Sequence, residues 1–394
     1  METPIAYETD VLVAGGGIAG IAAALAAARS GAHVMLLERG FMLGGLATAG
    51  LVTIYLPLCD GEGTQVSFGL AEELFRLSME HGAEARYPTP WLEGGSREER
   101  RKTRFEVQFN AQLFAISCER VLRESGVRIL YGATAVAVTE REGRINHVII
   151  ESKSGREAIA ISRCVVDATG DADICHLSSA KTALHGRDNA LAGWYYYFTS
   201  GEYKLKMYGY APSALQKNPA LLTGPIGKKG YDATSVQDVT RFMLDSHAAI
   251  EADVLARRAA GEGDLVPTTI ATTPQFRMTR RLVGLYTLEE GEVRKHFDDS
   301  IGMVSDWRRP GPVFEIPFGT LRGREVKNLL AAGRCISVAD DMWDITRVIP
   351  DCAVTGEAAG VAAAMTDDLD TLDITALGRE LALRGVKLHL EEIF

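Results

Sequence analysis

Asp10-Val-Leu-Val-Ala-Gly-Gly-Gly-Ile-Ala-Gly20, followed by His33-Val-Met-Leu-Leu-Glu38, decides the fold class. Val11, Leu12 and Val13 form the short apolar run of a strand buried on both faces. Gly15 permits a tight turn, Gly17 lets the backbone approach a pyrophosphate, and Gly20 lets the next helix pack closely. That helix is predicted from Ile18 to about Ser30, with Gly31 ending it. Its free N–H groups and positive dipole end would face phosphates. Glu38, 18 residues past Gly20, closes the second strand, where an acid accepts hydrogen bonds from a ribose hydroxyl. Glycines alone are a weak pattern. Strand, turn, helix, strand and acid in register predict a dinucleotide site in a Rossmann-like α/β chain.

A length of 394 residues predicts two or three domains. The net charge of −10 argues against general binding to nucleic acid or anionic membrane. The apolar N-terminal run lacks a basic flank, and no glycine-free apolar run of 18 residues occurs. The expectation is therefore a soluble cytoplasmic protein with a small-molecule substrate and neither nucleic acid nor membrane as partner. Assembly into a homo-oligomer stays open. None of the six cysteines forms a CxxC pair, which removes the usual zinc, iron–sulfur and dithiol spacings, so no metal is expected.

Beyond Glu38, Arg39-Gly-Phe-Met-Leu-Gly-Gly-Leu-Ala-Thr-Ala-Gly50 is a second glycine-rich loop. A plain NAD-binding dehydrogenase has no need of it; a bound FAD crosses this point, and Gly44, Gly45, Ala47 and Thr48 are small enough to admit it. The alternative is a surface loop. A helix is predicted over 70–81, and the charged run 97–104 reads as a solvated helix or loop rather than a basic rim facing substrate. Residues 105–138 read strand, helix, strand, with Leu113, Ile116, Val121 and Leu122 on the helix's buried side. A hairpin over 144–162 precedes a separate buried strand, Cys164-Val-Val-Asp-Ala-Thr-Gly-Asp-Ala-Asp173, whose end would pass close to a flavin. Residues 178–325 lose the alternating strand–helix rhythm. They carry the aromatic run Trp194-Tyr-Tyr-Tyr-Phe198, Tyr203, Tyr208 and Tyr210, and a helix near 235–260, and read as an inserted substrate-side domain. The chain then returns through Lys327-Asn-Leu-Leu-Ala-Ala-Gly-Arg-Cys-Ile-Ser337, a loop holding Thr346-Arg-Val-Ile-Pro350, and a helix opening at Val354 whose N-terminus would face the flavin pyrimidine edge.

These motifs together resemble the FAD-dependent oxidoreductase family, which looks like a distant relative of the fumarate reductase flavoprotein group. Three segments carry the resemblance: the glycine turn with Glu38 and the second loop; Thr279-Arg-Arg-Leu-Val-Gly284; and residues 328–337 with 347–360. They span nearly the whole chain. The resemblance implies FAD rather than NAD, and a glutathione-reductase-type FAD domain assembled from 1–57, 105–178 and 326–366. Residues 58–104 connect its parts, 179–325 form a mostly β substrate domain, and 367–394 a C-terminal helical segment. The cofactor positions implied are Gly15, Gly17, Ile18, Ala19, Gly20, Glu38, Arg39, Gly44, Gly45, Ala47, Thr48, Val136, Ala168, Thr169, Gly170, Gly333, Arg334, Arg347 and Val348. The expected reaction moves a hydride between a small organic substrate and flavin N5. Arg280 and Arg281 would grip a carboxylate or phosphate, and Cys352 would lie near the flavin. Weaker candidates for an acid or base are His176, His185, Asp60 and Tyr55. The His and Arg spacing of a fumarate site is missing, so that substrate is not carried over. An NAD-dependent dehydrogenase without flavin and a non-catalytic flavin-binding partner or sensor are the competing readings.

Overall fold

A computed structural model describes residues 3–184, 189–209 and 230–394. Tyr210 and His185, singled out above, lie outside the described residues. β1 (Ile5–Ala14), α1 (Ile18–Arg29) and β2 (Val34–Glu38) form the opening unit, with β1 and β2 parallel. β3 (Ile54–Tyr55), α2 (Leu70–Ser78), β4 (Ala83–Ala85) and β5 (Val107–Phe109) follow, the three strands pairing as a small antiparallel sheet. The charged run forms a short helix, Arg97–Lys102, with no buried residue, so its charges stay solvated; a Ser96–Glu99 capping box starts it.

α3 (Ala111–Glu124) differs from expectation in its buried face. Leu113 and Ile116 are 41% and 61% exposed, while Ala111, Phe114, Ala115, Cys118 and Leu122 are buried. The helical stripe that includes Phe114 fits the core, where its ring packs edge-on against Phe109 at 4.8 Å.

β6 (Arg128–Tyr131), β7 (Thr134–Arg141), β8 (Arg144–Ser152) and β9 (Gly155–Asp167) complete the main sheet in the order β6-β2-β1-β9-β8-β7. The hairpin arm and the buried strand expected as separate elements are one continuous strand, β9. Along one edge it pairs in parallel with β1, and along the other its first half pairs antiparallel with β8. The inserted region contributes β10 (Thr182–Leu184), then the three-stranded antiparallel sheet β12-β11-β13 (Glu202–Lys206, Tyr195–Thr199, Val266–Ile270). α4 (Val236–Ala259) covers that sheet, burying Ile250 and Val254 with Tyr195, Tyr197 and Leu265. β14 (Arg280–Leu282) pairs with β10.

The hairpin of β15 (Ser300–Ser305) and β16 (Val313–Pro317) falls in the stretch expected to be a separate domain. Instead Ile301, Val304, Phe314 and Ile316 share one core with α1 and the last long helix. These four apolar side chains need a partner surface, and α1 and that helix supply it. β17 (Leu329–Ala331) adds to β9 in parallel. α5 (Asp340–Thr346) stands where a loop was expected, and α6 (Ile349–Met365) opens five residues before the expected Val354, with Pro350 in its first turn. The two meet at 90°. Among the described residues no single helix is long and apolar enough to cross a membrane.

α6 crosses α1 at backbone contact. A Cβ on Gly356 or Gly360 would lie 2.3 or 2.2 Å from the carbonyl oxygens of Ala19 and Ala23, so only glycine allows the approach. That crossing brings the start of α6 beside the glycine turn.

Candidate functional site

The three fingerprint glycines have three different surroundings. Gly15 takes φ +103°, and its N–H donates to Leu37 O at 2.8 Å; an added Cβ would lie 2.4 Å from Ala168 O. A Cβ on Gly20 would lie 1.8 Å from Gly15 O. Gly17, at the N-cap of α1, has no atom within 4 Å of where a Cβ would be. Gly15 and Gly20 therefore serve packing, and Gly17 faces open space at the end of a 12-residue helix with unpaired N–H groups.

Glu38 fastens the turn. One carboxylate oxygen accepts from Gly16 N–H at 2.9 Å, the other from Gly40 N–H at 2.6 Å, and each keeps a lone pair for a hydroxyl donor. The second glycine loop is no free surface loop, because Gly44 N–H donates to Gly16 O at 2.8 Å. Thr48 is buried and donates to Leu43 O, so it supports that loop from within.

One cleft runs from this turn. Its wall takes in Gly15, Gly17, Ile18, Ala19, Glu38, Arg39, Gly44, Gly45 and Ala47; Ala168, Thr169 and Gly170 at the end of β9; and Arg334, Arg347, Val348 and Cys352. It encloses about 1570 Å³ of empty space, the solvent at its mouth included. Gly20, Thr48 and Gly333 stand behind the wall, and Val136 is replaced by Ala133, Thr134 and Ala135, because a bulge in β7 at residues 135–137 resets which side chains face inward.

The far end takes residues 52–56, just past the second glycine loop, and residues 273–277. Val52, Ile54, Leu56, Thr273, Pro274, Phe276 and Arg277 line it. Gln275 donates to Gly50 O at 2.5 Å and Thr272 N–H to Ala49 O at 2.9 Å, which fixes the inserted chain onto the second glycine loop. Arg334 pairs with Asp171 at 2.8 Å and donates to Phe276 O at 3.1 Å; Arg347 pairs with Asp344 at 2.5 Å. Arg277 is buried, and burial, with Arg347 and Arg334 nearby, lowers its pKa to about 9.

Three ionisable groups in or behind the cleft wall carry no clear signal in the sequence. Asp173 lines the wall, and burial beside Asp171 and Asp167 raises its pKa to about 6. Behind it, Asp167 is fully buried, accepts from Thr169 Oγ1 at 2.7 Å and Cys175 N–H at 2.9 Å, and has its pKa pushed up by burial. Arg277 gave no signal beyond being a charge among the apolar neighbours Phe276 and Met278.

The catalytic candidates fare unevenly. Arg280 reaches Asp171 O at 3.4 Å and Asp173 at 3.6 Å, and Arg281 bonds Leu282 O at 3.1 Å; neither lines the cleft. Cys352 does line it, but burial first and Asp351 second push its thiol up to about 12, so it is a neutral thiol and no nucleophile at neutral pH. His176 is exposed, Tyr55 is buried and donates to Ala71 O at 2.7 Å, and Asp60 caps a turn through Glu62 and Thr64 N–H at 2.8 and 3.0 Å.

A parallel sheet, a glycine turn under a helix N-terminus, and a cleft closed by returning segments define a dinucleotide-binding α/β protein of the flavoprotein type. The chain matches the FAD dependent oxidoreductase family over residues 10–194 and 199–381, and it belongs to that family. It is an FAD-dependent oxidoreductase and FAD is its cofactor. The residues present fit that group: a cradle at Gly17 that a Cβ would enter, carboxylate acceptors on Glu38, and a cleft that continues past the second loop. No curated protein sequence matches the chain. Among solved structures it is similar to a 3-ketosteroid-Δ4-(5α)-dehydrogenase from Rhodococcus jostii RHA1, at 14% identity over 92% of this chain and 100% of that one, TM-score 0.43. A geranylgeranyl bacteriochlorophyll reductase-like protein from Thermoplasma acidophilum aligns at 11% identity over 97% and 93% of the two chains, TM-score 0.46. A p-nitrophenol 4-monooxygenase from Pseudomonas putida DLL-E4 aligns at 11% identity over 98% and 85%, TM-score 0.48.

Proposed function

We propose that this oxidoreductase moves a hydride between a small organic substrate and flavin N5. The observation that carries the reading is the continuous cleft that joins the glycine turn to an end walled by apolar and cationic side chains from residues 52–56 and 273–277. The first end suits the dinucleotide and the second a small substrate. Bound FAD supplies the hydride acceptor or donor, and the chain's own residues bind, orient and exclude water. Glu38, Gly17 and the start of α1 hold the nucleotide portion, and Gly44, Gly45 and Ala47 let the backbone lie against it. The first turn of α6, with Val348 at its N-cap, offers N–H groups and a positive dipole end to charge that gathers on the cofactor. The segments around β11–β13 and α4 serve the substrate side, while β15–β16 belong to the cofactor body.

In the oxidative direction bound FAD would supply the hydride acceptor, and the proton lost by the substrate's alcohol or amine would pass to a cleft carboxylate such as Asp173 or to water. The test is anaerobic bleaching of the flavin in purified holoenzyme against alcohols, amines and organic acids. Bleaching without any nicotinamide, reversed by an added electron acceptor, is the expected result. A flavin reduced only by NADH or NADPH, with oxygen then inserted into a substrate, would replace hydride transfer from substrate with monooxygenation.

A further inference from the structure

Among the described residues four arginines line the cleft, and one of them is buried without an ion-pair partner. Arg39 is exposed to water. Arg334 is paired with Asp171, and Arg347 with Asp344. Arg277 has no carboxylate partner among the described residues. Its Nη1 donates to Gln275 O at 3.2 Å, and its guanidinium carbon stands 5.5 Å from the Trp194 ring centroid. A guanidinium carries five N–H donors, so most of its bonding capacity is unspent. Burying a cation in this state is costly, and proteins keep such groups where a ligand completes them.

The backbone that presents Arg277 is fixed. Asn189 Oδ1 accepts from Arg277 N–H at 2.9 Å and from Met278 N–H at 3.1 Å. Gln275 ties the same segment to Gly50 and, through its Oε1, to Trp194 N–H at 3.1 Å. Arg334 and Arg347 each already hold a carboxylate, so the unmatched charge that Arg277 offers a ligand is a single positive one. A carboxylate matches it, whereas a phosphate monoester brings about −1.5 to −2. Pro274, Phe276 and the wall of Val52 and Ile54, which starts two residues beyond Gly50, give an apolar body somewhere to lie. The charges that act on Arg277 are Arg347, Arg334 and Asp344, none of them part of the glycine turn where phosphates would sit.

We propose that Arg277 is the anchor for a substrate carboxylate and that the substrate is a monocarboxylic acid with an apolar body. The proposal rests on the flavin-dependent reading above and names the substrate class of that cleft.

The test uses FAD-loaded protein without turnover. Acetate, hexanoate, benzoate, phenyl phosphate and benzamide are titrated while the visible flavin spectrum and the melting temperature are followed. Benzoate or hexanoate should bind the wild type, and neutral benzamide should not. Arg277→Met should keep FAD, bind the same acid at least about tenfold more weakly, and melt no lower than wild type once both are ligand-free, because the change removes a buried unpaired charge. Arg277→Lys, which keeps the charge and loses the bidentate fork, should fall between the two. The proposal is overturned if no carboxylate binds, if benzamide binds as well as benzoate, or if phenyl phosphate binds more tightly than benzoate. Unchanged affinity in Arg277→Met overturns it too, as does loss of FAD or of folding in that variant. Carboxylate binding without bleaching by any substrate would sink the hydride-transfer reading and leave the anchor standing; bleaching by neutral alcohols without carboxylate binding would do the reverse.

Discussion

Replacing Gly17 by alanine separates the fold from its cofactor. Gly17 takes φ −72° and ψ −177°, extended backbone open to any residue, and no atom lies within 4 Å of the new methyl. The ligand-free protein should therefore fold as before, within about 1 kcal/mol of wild type, because alanine restricts the unfolded chain but is a poorer N-cap than glycine. The same methyl points into the cleft at the start of α1. Phosphates held off by its width lose about two charge-assisted hydrogen bonds of roughly 1.5–3 kcal/mol each. A net loss of about 3 kcal/mol weakens FAD binding about a hundredfold. The assay is a melt of FAD-stripped protein followed by titration with FAD, read by quenching of flavin fluorescence. Gly20→Ala is the control: its methyl would lie 1.8 Å from Gly15 O, so it should destabilise the stripped protein itself by about 1–3 kcal/mol. Wild-type affinity in Gly17→Ala, or a stripped form destabilised as much as that of Gly20→Ala, would refute the assignment of open space at Gly17 to the cofactor.

Glu357 lies buried on α6, accepts from Leu70 N–H at 2.7 Å, and is raised from 4.5 to about 7, chiefly by burial. A folded-state pKa above the unfolded one gives stability that is full below about pH 4.5 and is lost as pH rises through about 7, roughly 3 kcal/mol in all. Glu357→Gln keeps an acceptor for Leu70 and cannot ionise, so its melting-point advantage should widen from pH 5 to pH 8; a gap independent of pH would contradict this. On α3, Phe114→Ala should cost about 3–5 kcal/mol and Ile116→Ala under about 0.5 in denaturant unfolding; comparable losses would restore the rejected face. Cys352 should resist alkylation at pH 8 in native protein, followed by mass spectrometry, because burial holds its thiol near 12; rapid labelling at free-cysteine rates would refute that.

The class of protein was legible in the first 50 residues because each part of the nucleotide device is local: a strand, a turn, a helix N-terminus and an acid, each set by neighbours in sequence. The second glycine loop was equally readable, since small residues at 44, 45 and 47 are what a close backbone approach requires. Other features depend on what meets what. One strand, β9, serves both the antiparallel meander and the parallel core, and no local pattern marks a strand that changes partner along its length. The side of α3 that is buried followed the position of Phe109, and the hairpin β15–β16 joined the core with α1 because of packing alone. The sequence points to Arg280 and Arg281 as the grip on an anion, yet neither lines the cleft, whose arginines are Arg39, Arg277, Arg334 and Arg347. Sequence shows that arginines are present. Only the tertiary structure shows which ones already have an aspartate, and it is that pairing, through Asp171 and Asp344, that leaves Arg277 as the charge still needing a partner.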